Sequence, residues 1–254
     1  MGKGRPMSIY ANLFTYRPRP SRKPLEDFLS EALADLLNRL TYDKHVAFVT
    51  DVLLEGEARR DRSSFMGGRH QAEFLWATQV GMRSGQGTVF MDLLLRIDDQ
   101  EVLVVESKVH AGYQMHMLDG PPSVAEPDGG QVNQMETYGK WLGERCRARV
   151  PAEGRAWPGA LVLLTHRTDP PVGFEAGRYG VGHVGVCRWR QVQRWAGALP
   201  MRTCDAGRGD GSVPVLAAEL AAFLREQGMG ADLMTADGLS GAAMHVDRRG
   251  RLTP

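Results

Sequence analysis

The chain has 254 residues, of which 43% are hydrophobic and 24% charged, with a formal net charge of +1. This is ordinary for a soluble globular protein, and the length suffices for one hydrophobic core. The three cysteines, Cys146, Cys187 and Cys204, are few, odd in number and without CxxC spacing, so they do not indicate a disulfide framework or a zinc site and fit a reducing cytosol. With no signal-like apolar segment and no apolar run of the ~20 residues that span a bilayer, we expect a cytoplasmic protein without a membrane partner.

The first 23 residues are basic and rich in Pro, Arg and Gly, and no acidic residue precedes Glu26. We predict an irregular lead-in over residues 1–23. A segment of this charge can lie along a phosphate backbone, and the alternative is a solvated lead-in. The candidate nucleic-acid contacts in it are Arg17, Arg19, Arg22 and Lys23.

A helix is predicted over residues 24–40, because Pro24 suits a first helical turn and leucines recur behind it at helical spacing. On a helical wheel that starts at Leu25, Glu26 falls about 100° round, on the shoulder of the apolar face, and Glu31 falls at about 240°, towards solvent. We therefore expect Glu26, but not Glu31, to be within reach of the acidic patch described below. Its alternative role is to interact with the positive end of the helix dipole.

Residues 46–54 and 71–80 are predicted to be strand-like or mixed segments, with a polar stretch between them. Two runs dominated by Val, Leu and Ile follow, at 88–97 and 101–109, and these are typical of buried strands joined by a turn at 98–100.

The remaining segments alternate between helix and strand. They are a loop at 110–130, a helix at 131–149, a strand at 160–165, a short helix at 189–195, a linker at 206–212 and a helix at 214–227. We predict one α/β domain over residues 24–227, with a central mixed sheet flanked by helices. Residues 228–254 are predicted to form a tail without stable order.

The hairpin carries the residues of greatest chemical interest. If residues 98–100 form a three-residue loop, Ile97 pairs with Glu101, and the same register sets Asp92 opposite Glu106. Opposed residues share a face with Cβ atoms ~4.5–5.5 Å apart. Lys108 lies two residues beyond Glu106 and shares that face. The sequence thus predicts two carboxylates and an ammonium on one patch.

Two carboxylates this close repel each other, and burial within apolar strands makes their ionisation costly. A divalent cation removes the problem. Oxygen ligands without a nearby His or Cys favour Mg²⁺ or Mn²⁺ over Zn²⁺. The alternative without an ion is a salt bridge from Lys108 to one carboxylate on an exposed sheet face.

The Asp92 motif, followed after 13 residues by Glu106-Ser107-Lys108, resembles the signature of the PD-(D/E)XK nuclease superfamily. The helix at 24–32 is similar to the N-terminal helix of its RecB-like branch, which carries an active-site glutamate. Gln134 and Tyr138 match the QxxxY motif of that branch, and the strand at 161–165 takes the place of its next core strand. The resemblance spans residues 24–224. The chain departs from it at Met91, where the superfamily has Pro, at Ser107, and in the long loop at 110–130.

The resemblance implies a restriction-endonuclease-like domain and a Mg²⁺-dependent nuclease that hydrolyses phosphodiester bonds in DNA. Restriction or phage defence is the implied setting, with repair second, and a homodimer is an expected partner state besides DNA. Mn²⁺ is expected to substitute for Mg²⁺. The implied metal-binding groups are Asp92, Glu106, Glu26 and the carbonyl of Ser107.

The implied catalytic residues are Asp92, Glu106, Lys108, Glu26 and Gln134. Lys108 is expected to orient the attacking water or stabilise negative charge. Gln134 and Tyr138 share one side of their helix and are implied to contact nucleic acid. The alternative for Gln134 is an ordinary surface glutamine, and Gln131, one turn earlier, competes for its role.

Two other functions stay open at this point. The first is a binding module of the same fold without cleavage, against which the complete set of Asp92, Glu106 and Lys108 argues. The second is an unrelated α/β hydrolase or structural protein, which the lack of a Gly-x-Ser-x-Gly elbow or a P-loop disfavours.

Overall fold

The computed structural model describes residues 10, 24–54, 72–84, 87–109, 115–116, 132–148, 159–199, 211–230, 245–246 and 252–253. Cys204, Gln131 and the basic residues Arg17, Arg19, Arg22 and Lys23 lie outside these ranges. Within the lead-in, Tyr10 is described, and its ring packs edge-on against Phe28.

A five-stranded mixed sheet forms the centre of the protein, in the order β1-β2-β3-β6-β7. Its strands are β1 (Phe74–Ser84), β2 (Gly87–Ile97), β3 (Gln100–Lys108), β6 (Ala160–Thr165) and β7 (His183–Arg188). The first three pair antiparallel, and β3, β6 and β7 pair parallel. Short two-residue strands make two further pairs: β4 (Met115–His116) with β5 (Val132–Asn133), and β8 (His245–Val246) with β9 (Leu252–Thr253).

Helices flank this sheet, so the predicted α/β class is confirmed. They are α1 (Pro24–Leu37), α2 (Tyr42–Phe48), α3 (Gln134–Ala148), α4 (Ala176–Tyr179), α5 (Trp189–Ala198) and α6 (Val213–Glu226). None of the helices in the described ranges is long and apolar enough to cross a membrane.

The sheet separates two hydrophobic cores. Leu93 and Val105 point into the first core, with α1, α2, α5 and α6, while Leu94 and Val104 point into the second, with α3. Alternate residues of a strand face opposite sides, so a strand covered on both sides is apolar throughout. This arrangement explains the continuous apolar runs of β2 and β3.

The structure corrects the prediction for residues 46–54. This segment is not a strand: α2 ends at Phe48 and continues as a π-helical turn over Val49–Leu53. Phe48, Val49, Val52 and Leu53 are all buried, at the spacings of three and four residues that one helical face requires. The β-branched valines Val49 and Val52 favour a strand locally, but packing against the core outweighs that weak preference.

Other elements differ in extent. The strand predicted at 71–80 is present as β1, which runs on to Ser84. Strand β7 and helix α4 were not predicted, because β7 contains Gly185 and is only partly buried, and α4 is a single turn. Cys146 and Cys187 are both buried.

Candidate active site

The turn between β2 and β3 is shorter than predicted. Asp98 and Asp99 form a two-residue turn with φ of 49° and 62°, and Ile97 pairs with Gln100 rather than with Glu101. Two positive φ values suit a tight hairpin turn. The predicted three-residue loop is therefore wrong.

A β-bulge restores the register that the site needs. Arg96 pairs with Glu101 and Leu95 with Leu103, so Val102 is an extra residue between them. From there Leu93 pairs with Val105, the last pair of the β2–β3 ladder, and continuing this register by one residue sets Asp92 opposite Glu106. A shorter turn followed by a bulge thus gives the same register as the predicted one.

Asp92 lies on β2, partly buried, with both carboxylate oxygens in contact with donors. The backbone N–H of Ser107 donates to Oδ2 at 2.7 Å, and the side-chain amide of Gln79 donates to Oδ1 at 3.4 Å. The first bond is short and comes from the neighbouring strand. It fixes the carboxylate beside the Glu106-Ser107-Lys108 segment.

Glu106 and Lys108 form an ion pair between Oε1 and Nζ. Glu106 is 2% exposed and Lys108 5% exposed, so the pair is not the surface salt bridge of the alternative interpretation. The amide of Gln134 reaches the other oxygen, Oε2, at 3.5 Å. A buried ion pair of this kind is retained only where its desolvation is offset by good geometry or by function.

Helix α1 presents Glu26 to the same region. Glu26 is buried and Glu31 exposed, which confirms the orientation expected from the helical wheel. The backbone N–H of Val109 donates to Oε1 of Glu26 at 2.9 Å. This bond places the Glu26 carboxylate at the end of β3, next to Lys108.

Gln134 and Tyr138 lie on one side of α3, as predicted, and the Gln134 amide donates to the Tyr138 hydroxyl. That hydroxyl donates in turn to the carbonyl of Phe90 at 2.6 Å. Burial raises the pKa of Tyr138, which keeps the hydroxyl protonated. Tyr138 is fully buried, so in this structure its side chain packs beneath the site and is not accessible to a nucleic acid.

The electrostatics of the patch are dominated by desolvated acids. The pKa of Asp92 is raised from 3.8 to about 8, first by burial and then by the Glu106 carboxylate, against the Ser107 N–H and Lys108. Burial also raises the pKa of Glu106, although Lys108 opposes it. Burial lowers the pKa of Lys108, but Glu106 and Asp92 outweigh it, so this pKa is raised and the amine stays protonated. With Glu26, the patch contains three carboxyl groups and one ammonium, that of Lys108.

The donors present fit a hard cation. In the ranges that the structure describes, no three His, Cys, Asp or Glu side chains are gathered into a preformed metal site. Mg²⁺ needs fewer, since it is commonly held by one or two carboxylates with waters completing its octahedron. Asp92 and Glu106 supply such a pair.

The chain matches no protein-family model, no curated protein and no solved structure.

Two residues that were not predicted also belong to this neighbourhood. Gln79, on β1, contacts Asp92, and its amide also donates to Oδ1 of Asp27 at 3.2 Å. On the helical wheel Asp27 falls about another 100° beyond Glu26, away from the apolar face, so the pattern of α1 does not indicate it. Nothing in the local sequence of β1 marks Gln79, because its position follows from strand pairing.

Proposed function

We propose that this chain is a Mg²⁺-dependent nuclease that hydrolyses phosphodiester bonds in DNA, on a restriction-endonuclease-like domain of the PD-(D/E)XK superfamily. The observation that carries the proposal is the convergence of the partly buried Asp92 carboxylate with the buried Glu106–Lys108 ion pair at neighbouring positions of β2 and β3.

The arrangement is costly in the absence of a ligand. Burying two carboxylates side by side incurs desolvation and mutual repulsion, and one ammonium offsets only part of the charge. Sites that reduce stability in this way are usually kept for function. A divalent cation is the ligand whose charge and oxygen preference match the set.

In the proposed mechanism, Asp92, Glu106 and the carbonyl of Ser107 would hold Mg²⁺, with Glu26 contributing directly or through a water. The bound ion would supply a more acidic water and offset the charge on the scissile phosphate. The protonated amine of Lys108 orients the attacking water and stabilises negative charge as it develops. Gln134 holds the Glu106 carboxylate through Oε2.

DNA recognition rests on phosphate contacts, which position a nucleic acid independently of its sequence. The residues proposed for them are Arg17, Arg19, Arg22 and Lys23. We propose further that Mn²⁺ substitutes for Mg²⁺, that two copies of the chain act on the two strands, and that the enzyme serves restriction or phage defence in the cytoplasm.

A second candidate function is a nucleic-acid-binding or partner-binding module without cleavage. The ion pair between Lys108 and Glu106 favours it, because the ammonium occupies one carboxylate oxygen that a cation would use. In that case the patch would be a self-contained polar network inside the sheet.

Incubation of the purified protein with supercoiled and linear DNA in Mg²⁺, Mn²⁺ or EDTA separates the two candidates. The nuclease predicts cleavage that needs metal and is lost in Asp92→Ala and Lys108→Ala. The matched control is Glu31→Ala, on the exposed face of α1, which should cleave like the wild type.

Two results would count against the nuclease. Cleavage that survives both substitutions would identify a contaminating enzyme. DNA binding in a gel-shift assay, with intact DNA in every metal, would support the binding module instead.

A further inference from the structure

Gln79 has an unusual backbone conformation for its place in the fold. Among the described residues, the non-glycine residues with positive φ are Asp98 and Asp99 in the hairpin turn and Gln79, at 50°, within β1. A left-handed residue inside a strand is strained and persists only where its surroundings hold it there. Such residues often occur beside functional sites.

Strand β1 changes sides at this residue. Phe74 and Trp76 pack into the first core, whereas Val80 and Met82 pack into the second, although all four have even numbers and would share a face in a regular strand. The ladder to β2 continues in register on both sides of Gln79. Gln79 therefore lies at the point where the residues of β1 change from one side of the sheet to the other, directly opposite Asp92.

The side chain of Gln79 bridges two acids. Its amide donates to Oδ1 of Asp27 at 3.2 Å and, at the long end of hydrogen-bonding distance, to Oδ1 of Asp92 at 3.4 Å. The Ser107 N–H already holds Oδ2 of Asp92. With Gln79 present, both oxygens of this carboxylate are oriented, one from each neighbouring strand.

We infer that Gln79 is a positioning residue for the cation-binding carboxylate of Asp92, with Asp27 as the anchor that holds its amide. This inference rests on the proposed function, in which Asp92 binds Mg²⁺. A neutral amide suits the role, since it donates hydrogen bonds to a carboxylate without bringing a charge that competes with the cation. A lysine here would compete for Asp92, and a glutamate would repel it.

Glu26 and Asp27 are neighbours in the first turn of α1, and they contact two different strands. Glu26 contacts the backbone at the end of β3, and Asp27 contacts Gln79 on β1. The start of α1 is thereby joined to both strands that flank Asp92. Groups that orient metal ligands from behind typically change metal affinity 10–100-fold when they are removed.

Mn²⁺ binding to the full chain without DNA, measured by calorimetry, tests the inference alongside the melting temperature. Gln79→Gly removes the amide and accepts a positive φ without strain. We expect a melting temperature equal to or above that of the wild type and an affinity for Mn²⁺ about tenfold weaker. If the role of Gln79 were only structural, the affinity for Mn²⁺ would not fall while the melting temperature is maintained.

Asp27 provides a rescue test. Asp27→Ala removes the acceptor of the Gln79 amide and should weaken Mn²⁺ binding, whereas Asp27→Asn keeps an acceptor oxygen and should bind nearly as the wild type does. Glu31→Ala, exposed on the same helix, controls for the loss of one negative charge. Equal losses in Asp27→Ala and Asp27→Asn would show that charge, not the hydrogen bond, is what matters, and would overturn the anchoring role.

The outcomes distinguish this inference from the proposed function. A wild-type protein that does not bind Mn²⁺ overturns both. A wild-type protein that binds, together with a Gln79→Gly variant of unchanged affinity, overturns the inference and leaves the nuclease standing. If Gln79→Gly fails to fold, Gln79→Asn replaces it: asparagine tolerates a left-handed backbone but is one methylene too short, so the same weakening is expected.

Discussion

The backbone N–H of Val109 donates a 2.9 Å hydrogen bond to Oε1 of Glu26, joining residues 83 positions apart. Through this bond, the first turn of α1 is tied to the end of β3. Both partners are buried. A carboxylate that is desolvated in this way beside Asp92 and Glu106 adds negative charge to the patch, which increases its attraction for a cation.

The bond and the charge of Glu26 can be separated by substitution. Glu26→Gln keeps an acceptor oxygen, so we expect the melting temperature to be preserved and Mn²⁺ affinity to fall roughly tenfold. Glu26→Ala also strands the Val109 N–H, which should lower the free energy of unfolding by about 1–3 kcal/mol. Urea denaturation and calorimetry measure the two effects. Unchanged Mn²⁺ affinity in Glu26→Gln would remove Glu26 from the site.

Lys108 should contribute to stability as well as to chemistry. Lys108→Met leaves the carboxylate of Glu106 buried without its cation, and breaking such a pair from one side costs about 3–5 kcal/mol. In the double variant Lys108→Met/Glu106→Gln the stranded charge is gone, so most of that loss should be recovered. Urea denaturation in EDTA measures both. If the double variant is no more stable than Lys108→Met, the ion pair is not what holds this part of β3.

The raised pKa of Asp92 predicts a pH-dependent gain in stability for Asp92→Asn. The folded pKa, about 8, lies above the ordinary value of 3.8, so between these values the folded chain holds a proton that the unfolded chain has lost. Stability from this group is therefore complete below about pH 4 and is lost as the pH rises to about 8. Asn has no such loss, so the advantage of Asp92→Asn over the wild type in EDTA should widen between these pH values and then level off.

Thermal melts of the two proteins across this pH range, with and without Mn²⁺, check the prediction. Mn²⁺ should reduce the difference in melting temperature between Asp92→Asn and the wild type, because it stabilises the wild type only. A ligand that binds the folded state alone raises the stability of that state. A difference in melting temperature that is constant with pH would mean that Asp92 is not desolvated in solution.

Two buried tyrosines allow a matched comparison. The Tyr138 hydroxyl donates to the Phe90 carbonyl, whereas the Tyr179 hydroxyl is buried without a hydrogen-bond partner among the described residues. Tyr138→Phe should cost about 1 kcal/mol and loosen Gln134, while Tyr179→Phe should be neutral or stabilising. Equal effects on the free energy of unfolding would show that the Tyr138 bond is not formed in solution.

The sequence predicts those features that a single element encodes. The apolar face of α1 separates buried Glu26 from exposed Glu31, and the continuous apolar runs identify β2 and β3. The turn was harder to predict. Asp98-Asp99 lacks the glycine that marks most tight hairpins. The bulge at Val102 lies in an apolar run, where a shift of one residue does not change the pattern of apolar and polar residues.

The role of Gln79 could not be predicted, because it depends on contacts between elements that are distant in sequence. Its amide meets Asp27, 52 residues earlier, and Asp92, 13 residues later. A polar residue in a strand is ordinarily a solvent-facing one. Only the pairing of β1 with β2 and the packing of α1 across them bring the three side chains together.

The rate of DNA cleavage in Mg²⁺, measured in parallel for the wild type and Glu106→Gln, tests the central claim most directly. Glutamine has nearly the same size as glutamate and removes one buried carboxylate, and because it also leaves Lys108 without its anionic partner, a thermal melt first checks that the variant is folded. We predict plasmid cleavage by the wild type that stops in EDTA, and cleavage by Glu106→Gln that is slower by about a hundredfold or more, because a proposed metal ligand is lost. Equal rates for the two proteins, or no cleavage by the wild type in either Mg²⁺ or Mn²⁺, would contradict it.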